Sequence, residues 1–453
     1  MFEKLREFIE KVKRLFSKSD VNTVFGVDPA YSEIMGSKIT EWLNAYRGNA
    51  PWVDDYVKSL KIEESICREF ADVVLSEMSV KVSNKKLDDI FQKNMSMITE
   101  HLQSGIALGS FVLKPLGGDK AEFVTADKFI PLSFNDEGKV DDIVFVSRKV
   151  KAENDIYYRF ERHTLDAGGL TIRNVAYHSH NEGSLGTQCG LSEVYSWANL
   201  PEEITFPTDK VDFGYYRNPI KNEIDGSFNG VSVFDGAMEL IKKADVQFGR
   251  LEWEFESGER AINVDITALE PTVTRNEKGK TVYKTPKLNR RLYRGLNLDT
   301  GNGELYKEFS PEFREESIIN GLEQMLRVIE FVVGLSYGDL SKTDVVEKTA
   351  EEIKQSKQRK YNRVNAIERN LQTCIEDFIY GLSFYNKLSQ SGYTVTCSFS
   401  DSILTNEEVE RKQDAQDVAM GAMMLWEYRM KWYHEDEATA KAKIAEGTAE
   451  VIE

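Results

Sequence analysis

The sequence holds few of the residues that build metal centres and disulfide frameworks. Its four cysteines, Cys67, Cys189, Cys374 and Cys397, lie far apart with no C-x-x-C among them. That argues against a structural zinc site and for reduced thiols. Of five histidines only His178 and His180 fall close together, and on a strand this spacing puts both on one face. With no Cys or carboxylate at ligand spacing except the distant Cys189, they read as surface or satisfied histidines rather than half a metal site. No run of about 18 apolar residues occurs, so no segment is expected to span a bilayer. Neither a G-x-x-x-x-G-K-[ST] phosphate loop nor a G-x-S-x-G nucleophile elbow is present; Gly117-Gly118 and Gly168-Gly169 stand in turn contexts. The acidic pairs Asp54-Asp55 and Asp141-Asp142 are sequence neighbours that point apart, which suits solvated faces better than acid–base chemistry. The expectation is a protein that is not an enzyme, with no catalytic, cofactor-binding or metal-binding residues and no cofactor.

A basic excess is also missing. Asp and Glu number 75 against 58 Lys and Arg, a net charge of −17 in 453 residues. A protein that coats nucleic acid wants the opposite sign, so any DNA contact is expected to be local or weak. An aromatic content of 11% excludes a chain disordered throughout, and the length suggests two to four domains. The opening MFEKLREFIEKVKRLF spaces Phe2, Leu5, Ile9, Val12 and Phe16 at helical intervals, without the continuous apolar core of a secretory signal. Glu3, Glu7 and Glu10 interrupt its basic face, which favours packing onto protein over a membrane surface.

Periodicity divides the rest. Residues 37–105 are helical in pattern, with Ile62, Ile66, Phe70, Val73 and Val74 as one stripe and Trp42, Trp52 and Tyr56 as core or interface candidates. From about 110 to 180 the period changes to short β-rich runs, FVLKPL, AEFVTADKFIPLSF, DDIVFVSRKV, DIYYRFERHT and LTIRNVAYHS, separated by turn signals. No crossover helices intervene, so an antiparallel sheet and an α+β class are expected. After residue 230 comes a helix with Val233, Ala237, Leu240, Ile241, Ala244, Phe248, Leu251 and Phe255 on one stripe. A second is expected over 311–335, with Pro311 in its first turn. A third is expected over 349–385, striped by Ile353, Tyr361, Val364, Ile367, Leu371, Ile375, Phe378 and Leu382.

Between the first two of these helices lies a β-like, turn-rich module with local basic charge. Within 271–294, Arg275, Lys278, Lys280, Lys284, Lys287, Arg290, Arg291 and Arg294 face only Glu277, and Lys278-Gly279-Lys280 reads as a hairpin turn. Residues 401–453 are the reverse, with 13 Asp and Glu against six Lys and Arg. They carry Trp426, Tyr428, Trp432 and Tyr433, expected to close a small helical core rather than to grip a neighbouring subunit.

This order of elements, and the motifs D-I-Y-Y-R-F-E-R-H (155–163), I-R-N-V-A-Y (172–177), F-N-G-V-S-V-F-D-G-A (228–237), G-L-S-Y-G (334–338) and T-A-E-E-I (349–353), resemble the portal proteins of tailed bacteriophages. More narrowly they resemble the siphophage portal and minor-capsid family of phages of Gram-positive hosts, in register from about 40 to 390. Family members usually read Thr-Phe at Asp339-Leu340, and a further Thr or Ser at Glu351. The resemblance implies a portal fold with an α/β wing, a long-helix stem, a small β-containing clip and an α-helical crown, assembled as a ring normally of twelve copies. Carried onto this chain, the wing is 1–230, the stem helices are 231–256 and 311–337, and the clip is 257–310. A tunnel loop falls at 338–348, the long helix with the rest of the wing at 349–398, and the crown at 399–453.

The same resemblance implies a virion protein at one capsid vertex, assembled in the host cytoplasm, through which double-stranded DNA is packaged and ejected. Its implied partners are other copies of itself, the DNA, the terminase large subunit, the head-tail adaptor, and the major capsid and scaffolding proteins, with no membrane. Lys342 and Lys348 become candidates for transient phosphate contact in the tunnel. The eight basic residues of 271–294 become a docking surface for the motor and then the adaptor. The alternatives are another phage head structural protein or a terminase-type packaging component; the missing phosphate loop speaks against the latter.

Overall fold

The computed structural model describes residues 18–152, 155–181, 183–258, 261–265, 272–275, 281–284, 293–296, 306–309, 311–342, 350–389, 392–399, 407–433, 435 and 437–449. The expected amphipathic helix at 1–16 lies outside these residues.

Helices α1 (Lys18–Phe25), α2 (Glu33–Tyr46) and α3 (Ile62–Glu77) lead into strand β1 (Met78–Val82) and helix α4 (Lys85–Ala107). Two of these helix starts are capped by side chains. The Ser32 hydroxyl accepts the Met35 amide and the Asn84 side-chain oxygen accepts the Leu87 amide, both at 3.2 Å, satisfying amides that the helix itself leaves open. The expected stripe on α3 is the buried one: Ile62, Ile66, Phe70 and Val74 face inward. Trp42 is fully buried, whereas Tyr56 is 74% exposed.

The β-rich middle forms two antiparallel sheets. Strand β2 (Ser110–Gly117) is central to a three-stranded sheet between β3 (Lys120–Thr125) and β10 (Gly214–Arg217). The larger sheet runs in order through β4 (Phe129–Phe134), β5 (Val140–Ala152), β6 (Asp155–Asp166), β7 (Gly169–Ser179) and β8 (Thr187–Cys189), with β9 (Glu203–Phe206) also on β7. The run AEFVTADKFIPLSF, expected as one strand, is two strands in different sheets. A turn in which the Lys128 amide donates to the Thr125 carbonyl at 2.9 Å breaks it, and the Asp127 carboxylate holds the Thr125 hydroxyl there. Asp142 also departs from expectation. It is buried, and accepts two bonds from the Arg162 guanidinium at 3.0 and 2.6 Å, because its strand is covered where a solvated face was expected.

An antiparallel helical pair follows: α5 (Met238–Ser257) and α6 (Glu315–Val333). Helix α5 starts later than its stripe suggests, since the Ser232 carbonyl and hydroxyl take the amides of Asp235 and Phe234 in a turn. Helix α6 starts at Glu315, so Pro311 precedes the helix instead of lying in its first turn. Between them stand strands β11 (Ala261–Asp265), β12 (Thr272–Arg275), β13 (Thr281–Lys284), β14 (Tyr293–Leu296) and β15 (Tyr306–Phe309). β11 pairs parallel with β14 and antiparallel with β15, while β12 and β13 pair antiparallel with each other.

Helix α7 (Ala350–Tyr385) is 36 residues long. Its C-terminal half, through Leu371, Ile375, Phe378 and Leu382, packs into the main core and lies backbone to backbone on the sheet. A Cβ at Gly214 would sit 2.0 Å from the Cys374 carbonyl oxygen, and one at Gly381 would sit 2.1 Å from that of Asp212. Strand β16 (Val395–Phe399) then returns to pair with β1. Helices α8 (Glu407–Ala419), α9 (Leu425–Tyr433) and α10 (Glu437–Ala449) finish the described chain. Their aromatics do not close the apolar core expected of them. No residue of α9 is buried, Trp432 donates to Asp414 at 2.8 Å, and the Lys441 ammonium sits 4.5 Å from the Trp426 ring centre. The fold is α+β, with a main core shared by the helices and both sheets and a second small cluster around Trp197.

Candidate functional site

Acidic side chains seat the helical pair on α2 and the segment that joins it to α3. The Trp42 indole donates to Asp235 at 2.8 Å, just before α5. Two turns into α5 the fully buried Asp245 accepts the Trp52 indole and the Leu60 amide, both at 2.8 Å. Burial raises the pKa of Asp245 despite these bonds. Glu63 is equally buried and its carboxylate oxygens have no hydrogen-bond partner among the described residues; burial, with the Asp245 charge adding to it, pushes it up to about 7. At the other end of the pair Glu254 takes the Arg314 amide at 2.9 Å and its guanidinium at 3.1 and 2.7 Å, closing α5 against the start of α6.

The other end of α6 holds the root of a loop. Gly334 ends the helix with φ 91°, a left-handed conformation that glycine adopts without strain, and the Glu330 carbonyl takes the amides of Gly334 and Leu335 at 3.1 and 2.8 Å. The Glu330 side chain, fully buried, then gathers the next residues. Its Oε1 accepts the amides of Gly338, Leu340 and Ser341 at 3.1, 2.6 and 2.7 Å, and its Oε2 accepts the Ser341 hydroxyl at 3.0 Å. Asp339 accepts the Ser336 amide at 2.8 Å and pairs with Lys360 of α7 at 3.0 Å; Lys360 also reaches Glu69 of α3 at 3.2 Å. Arg359 lies over the rings of Phe331 and Tyr337, at 4.5 and 5.2 Å. Asp339, where the resemblance leads to a Thr, thus makes bonds of its own.

Lys342 follows directly. Its amide donates to Glu323 at 2.8 Å while the residue is exposed, so the backbone is fixed and the ammonium faces solvent. Lys348 lies outside the described residues, as do Lys278, Lys280, Lys287, Arg290 and Arg291. Arg275 and Lys284 stand at opposite ends of the β12–β13 ribbon, opposite Thr281 and Thr272, and Arg294 stands beside Asn263. The ribbon flanks the expected turn at 278–280, which itself lies outside the described residues.

No known family model matches this chain, and no curated protein matches it. Among the described residues no helix is long and apolar enough to cross a membrane, and no group of three or more His, Cys, Asp and Glu could hold a metal ion. His178, thought to lack a carboxylate neighbour, has one across the sheet: its Nε2 lies 2.5 Å from Asp155.

One polar cluster went unnoticed in the sequence. Arg159, Glu161 and His163 alternate along β6 and so share a face. Glu161 takes Lys114 at 2.6 Å, Arg159 at 2.7 Å and His163 Nε2 at 2.9 Å; His163 Nδ1 meets Asp212 at 2.8 Å, and the Tyr385 hydroxyl donates to Asp212 at 2.6 Å. Burial works against a charged imidazole here, but Asp212 and Glu161 outweigh it and raise His163 to about 9. Lys114, His163 and Arg159 overcome burial at Glu161, and His163, the Tyr385 hydroxyl and Lys114 overcome it at Asp212, so both carboxyls are held below their ordinary range. The only signal in the sequence was a charged triad at alternate positions of a strand whose other face carries Tyr158 and Phe160.

Proposed function

We propose that the chain is the subunit of a portal-type ring, through which double-stranded DNA passes and onto which packaging and tail components dock. The observation that carries this reading is the succession of a paired helix, a small β module, its antiparallel partner, a loop rooted on Glu330 and a 36-residue helix. It joins the sequence resemblance at the joint where the G-L-S-Y-G motif falls. A single chain leaves Trp253, Phe255 and Phe313 61, 49 and 45% exposed at one end of the pair and Phe331 56% exposed at the other; neighbouring copies in a ring would cover such side chains. In this reading no catalytic chemistry belongs to the chain, and its place is at a capsid vertex of the virion.

Charge supports passage rather than grip. Each phosphate neutralised by a fixed cation adds a salt-sensitive attraction that would stall a sliding duplex. Twelve copies at −17 each would give the whole ring on the order of 200 negative charges, leaving transient contact to a few cations such as Lys342 and Lys348. The basic 271–294 stretch would present the opposite sign to acidic faces of the terminase large subunit and the head-tail adaptor.

Negative-stain imaging and native mass measurement of the purified chain test the reading. Closed rings with a central hole are expected, of twelve or a neighbouring number of copies; monomers or open sheets at micromolar concentration refute it.

A further inference from the structure

Residues 52–60, between α2 and α3, form a strap that is fastened to helix α5 at two places. At the first, Asp245 accepts the Trp52 indole and the Leu60 amide, both at 2.8 Å. At the second, one turn further along α5, a Cβ at Gly249 would sit 2.8 Å from the Tyr56 carbonyl oxygen, so strap and helix backbones lie in close approach. Between these points Asp54 folds the strap on itself by accepting the amides of Tyr56 and Val57, both at 2.7 Å. The strap runs into Lys61, whose φ of 54° is a left-handed conformation, strained for a residue with a side chain. No side chain caps the helix that begins beside it, so the bonds to Asp245 hold the strained turn in place.

Glu63 stands in the first turn of that helix, fully buried, with both carboxylate oxygens lacking a partner among the described residues. Its near neighbour across the seam is a second acid, Asp245. An ionised Glu63 would have neither water nor a cation to stabilise it, so the closed seat accommodates the neutral form. The other titratable groups nearby supply no counter-charge. Cys67, one turn along α3, is buried, which keeps its thiol protonated well above the ordinary range, and Tyr46 of α2 is pushed up to about 12 by burial. Glu64 pairs with Lys61 at 3.3 Å, while Lys242 and Lys243 of α5 are exposed.

We propose that Glu63 and Asp245 form a latch worked by pH: a neutral Glu63 lets the strap sit on α5, and its ionisation sets two carboxylates against each other and lifts the strap from its seat. Release frees Lys61 from its strained conformation and loosens the helical pair from α2 and α3. Burial, with the charge of Asp245 adding to it, pushes Glu63 up to about 7 from an ordinary 4.5. The seat is therefore fully supported below 4.5, weakens as pH rises, and has lost this support above 7. The latch is independent of ring assembly.

Amide hydrogen exchange of the full chain, read by mass spectrometry on fragments covering 52–62 and 155–166, tests it at pH 5 and 6.5. That range ends where titration of His163 begins to alter stability. Relative to intrinsic rates, protection of 52–62 is expected to fall about tenfold or more between the two pH values. It should also be at least tenfold lower than that of 155–166 at both, because the strap opens without the rest of the fold. Glu63→Gln, neutral at every pH, and Glu63→Met, without a titrating group, should each reduce the fall to less than threefold, with circular dichroism checking the fold. A flat profile in the unaltered chain overturns the proposal. So does a full fall that survives in either folded variant, or equal protection of the two fragments, which would mean that the strap opens only on global unfolding.

Discussion

A carboxylate that accepts three amides and a hydroxyl within its own chain is a fastener, and Glu330 is one. Hydrogen bonds to an ionised acceptor contribute about 1.5–3 kcal/mol each, so the root of the loop is fixed at the cost of one buried charge. In the sequence Glu330 is one more acid on an amphipathic helix; its partners lie eight to eleven residues on, across a turn, and no periodicity announces them. Glu330→Gln keeps the shape and removes the charge. Amide exchange at Gly338, Leu340 and Ser341 is expected to quicken at least tenfold while α5 and α6 keep their protection. His163 gives a second expectation at this scale. Its pKa is raised from 6.5 to about 9 in the fold, so its stabilisation is complete below pH 6.5 and lost as pH rises through 9, a change of about 3 kcal/mol. Glu63, raised from 4.5 to about 7, acts in the same direction at lower pH. Melting temperature should therefore fall from pH 6 to pH 9.5, and His163→Gln, less stable at pH 6, should flatten that fall; an unaltered slope counts against the assignment.

At the scale of elements, two helical glycines that look alike in sequence have opposite roles. Replacing glycine with alanine inside a helix ordinarily stabilises by up to about 1 kcal/mol. Gly321 of α6 has room, since a Cβ there would meet only the flexible Gln247 side chain at 3.4 Å. Gly381 of α7 has none, because the Asp212 carbonyl occupies the place. Thermal unfolding followed by circular dichroism should show Gly321→Ala neutral or stabilised and Gly381→Ala destabilised by about 2 kcal/mol or more. The helices and the meander strands were legible because each carries its own period, and the stripe from Val364 to Leu382 is the buried face of α7. The split between β3 and β4 was not, because a three-residue turn hidden in apolar sequence decides it. Nor was the cluster at His163, whose partners Lys114, Asp212 and Tyr385 span some 270 positions and meet only when two sheets and a helix close together.

For the whole molecule, uneven charge matters more than the net value. The basic 271–294 stretch stands within an acidic chain, so the docking and passage roles proposed above are separable by mutation. Deleting residues 276–280 is expected to leave rings intact and block packaging or tail joining. Lys342→Glu is expected to leave both ring and docking intact while changing packaging or retention of DNA. Particle assays of DNA content and infectivity check both, and normal infectivity in each variant removes these residues from the mechanism.

The close approach of Gly214 to the Cys374 carbonyl and of Gly381 to the Asp212 carbonyl gives the long helix a rigid seat on the sheet. With no side chain between helix and strand backbones at that seat, there is no compliant layer to absorb rotation. Lys360, which holds Asp339, lies 14 residues before Cys374, or about 21 Å along the axis at 1.5 Å per residue. Each degree of tilt at the seat therefore displaces the attachment of the loop by about 0.4 Å. Val364, Ile367 and Leu371, buried along that arm, and the pair of Lys360 with Glu69 hold the helix between the two points, so the glycine seat and the core contacts together fix where the loop is attached.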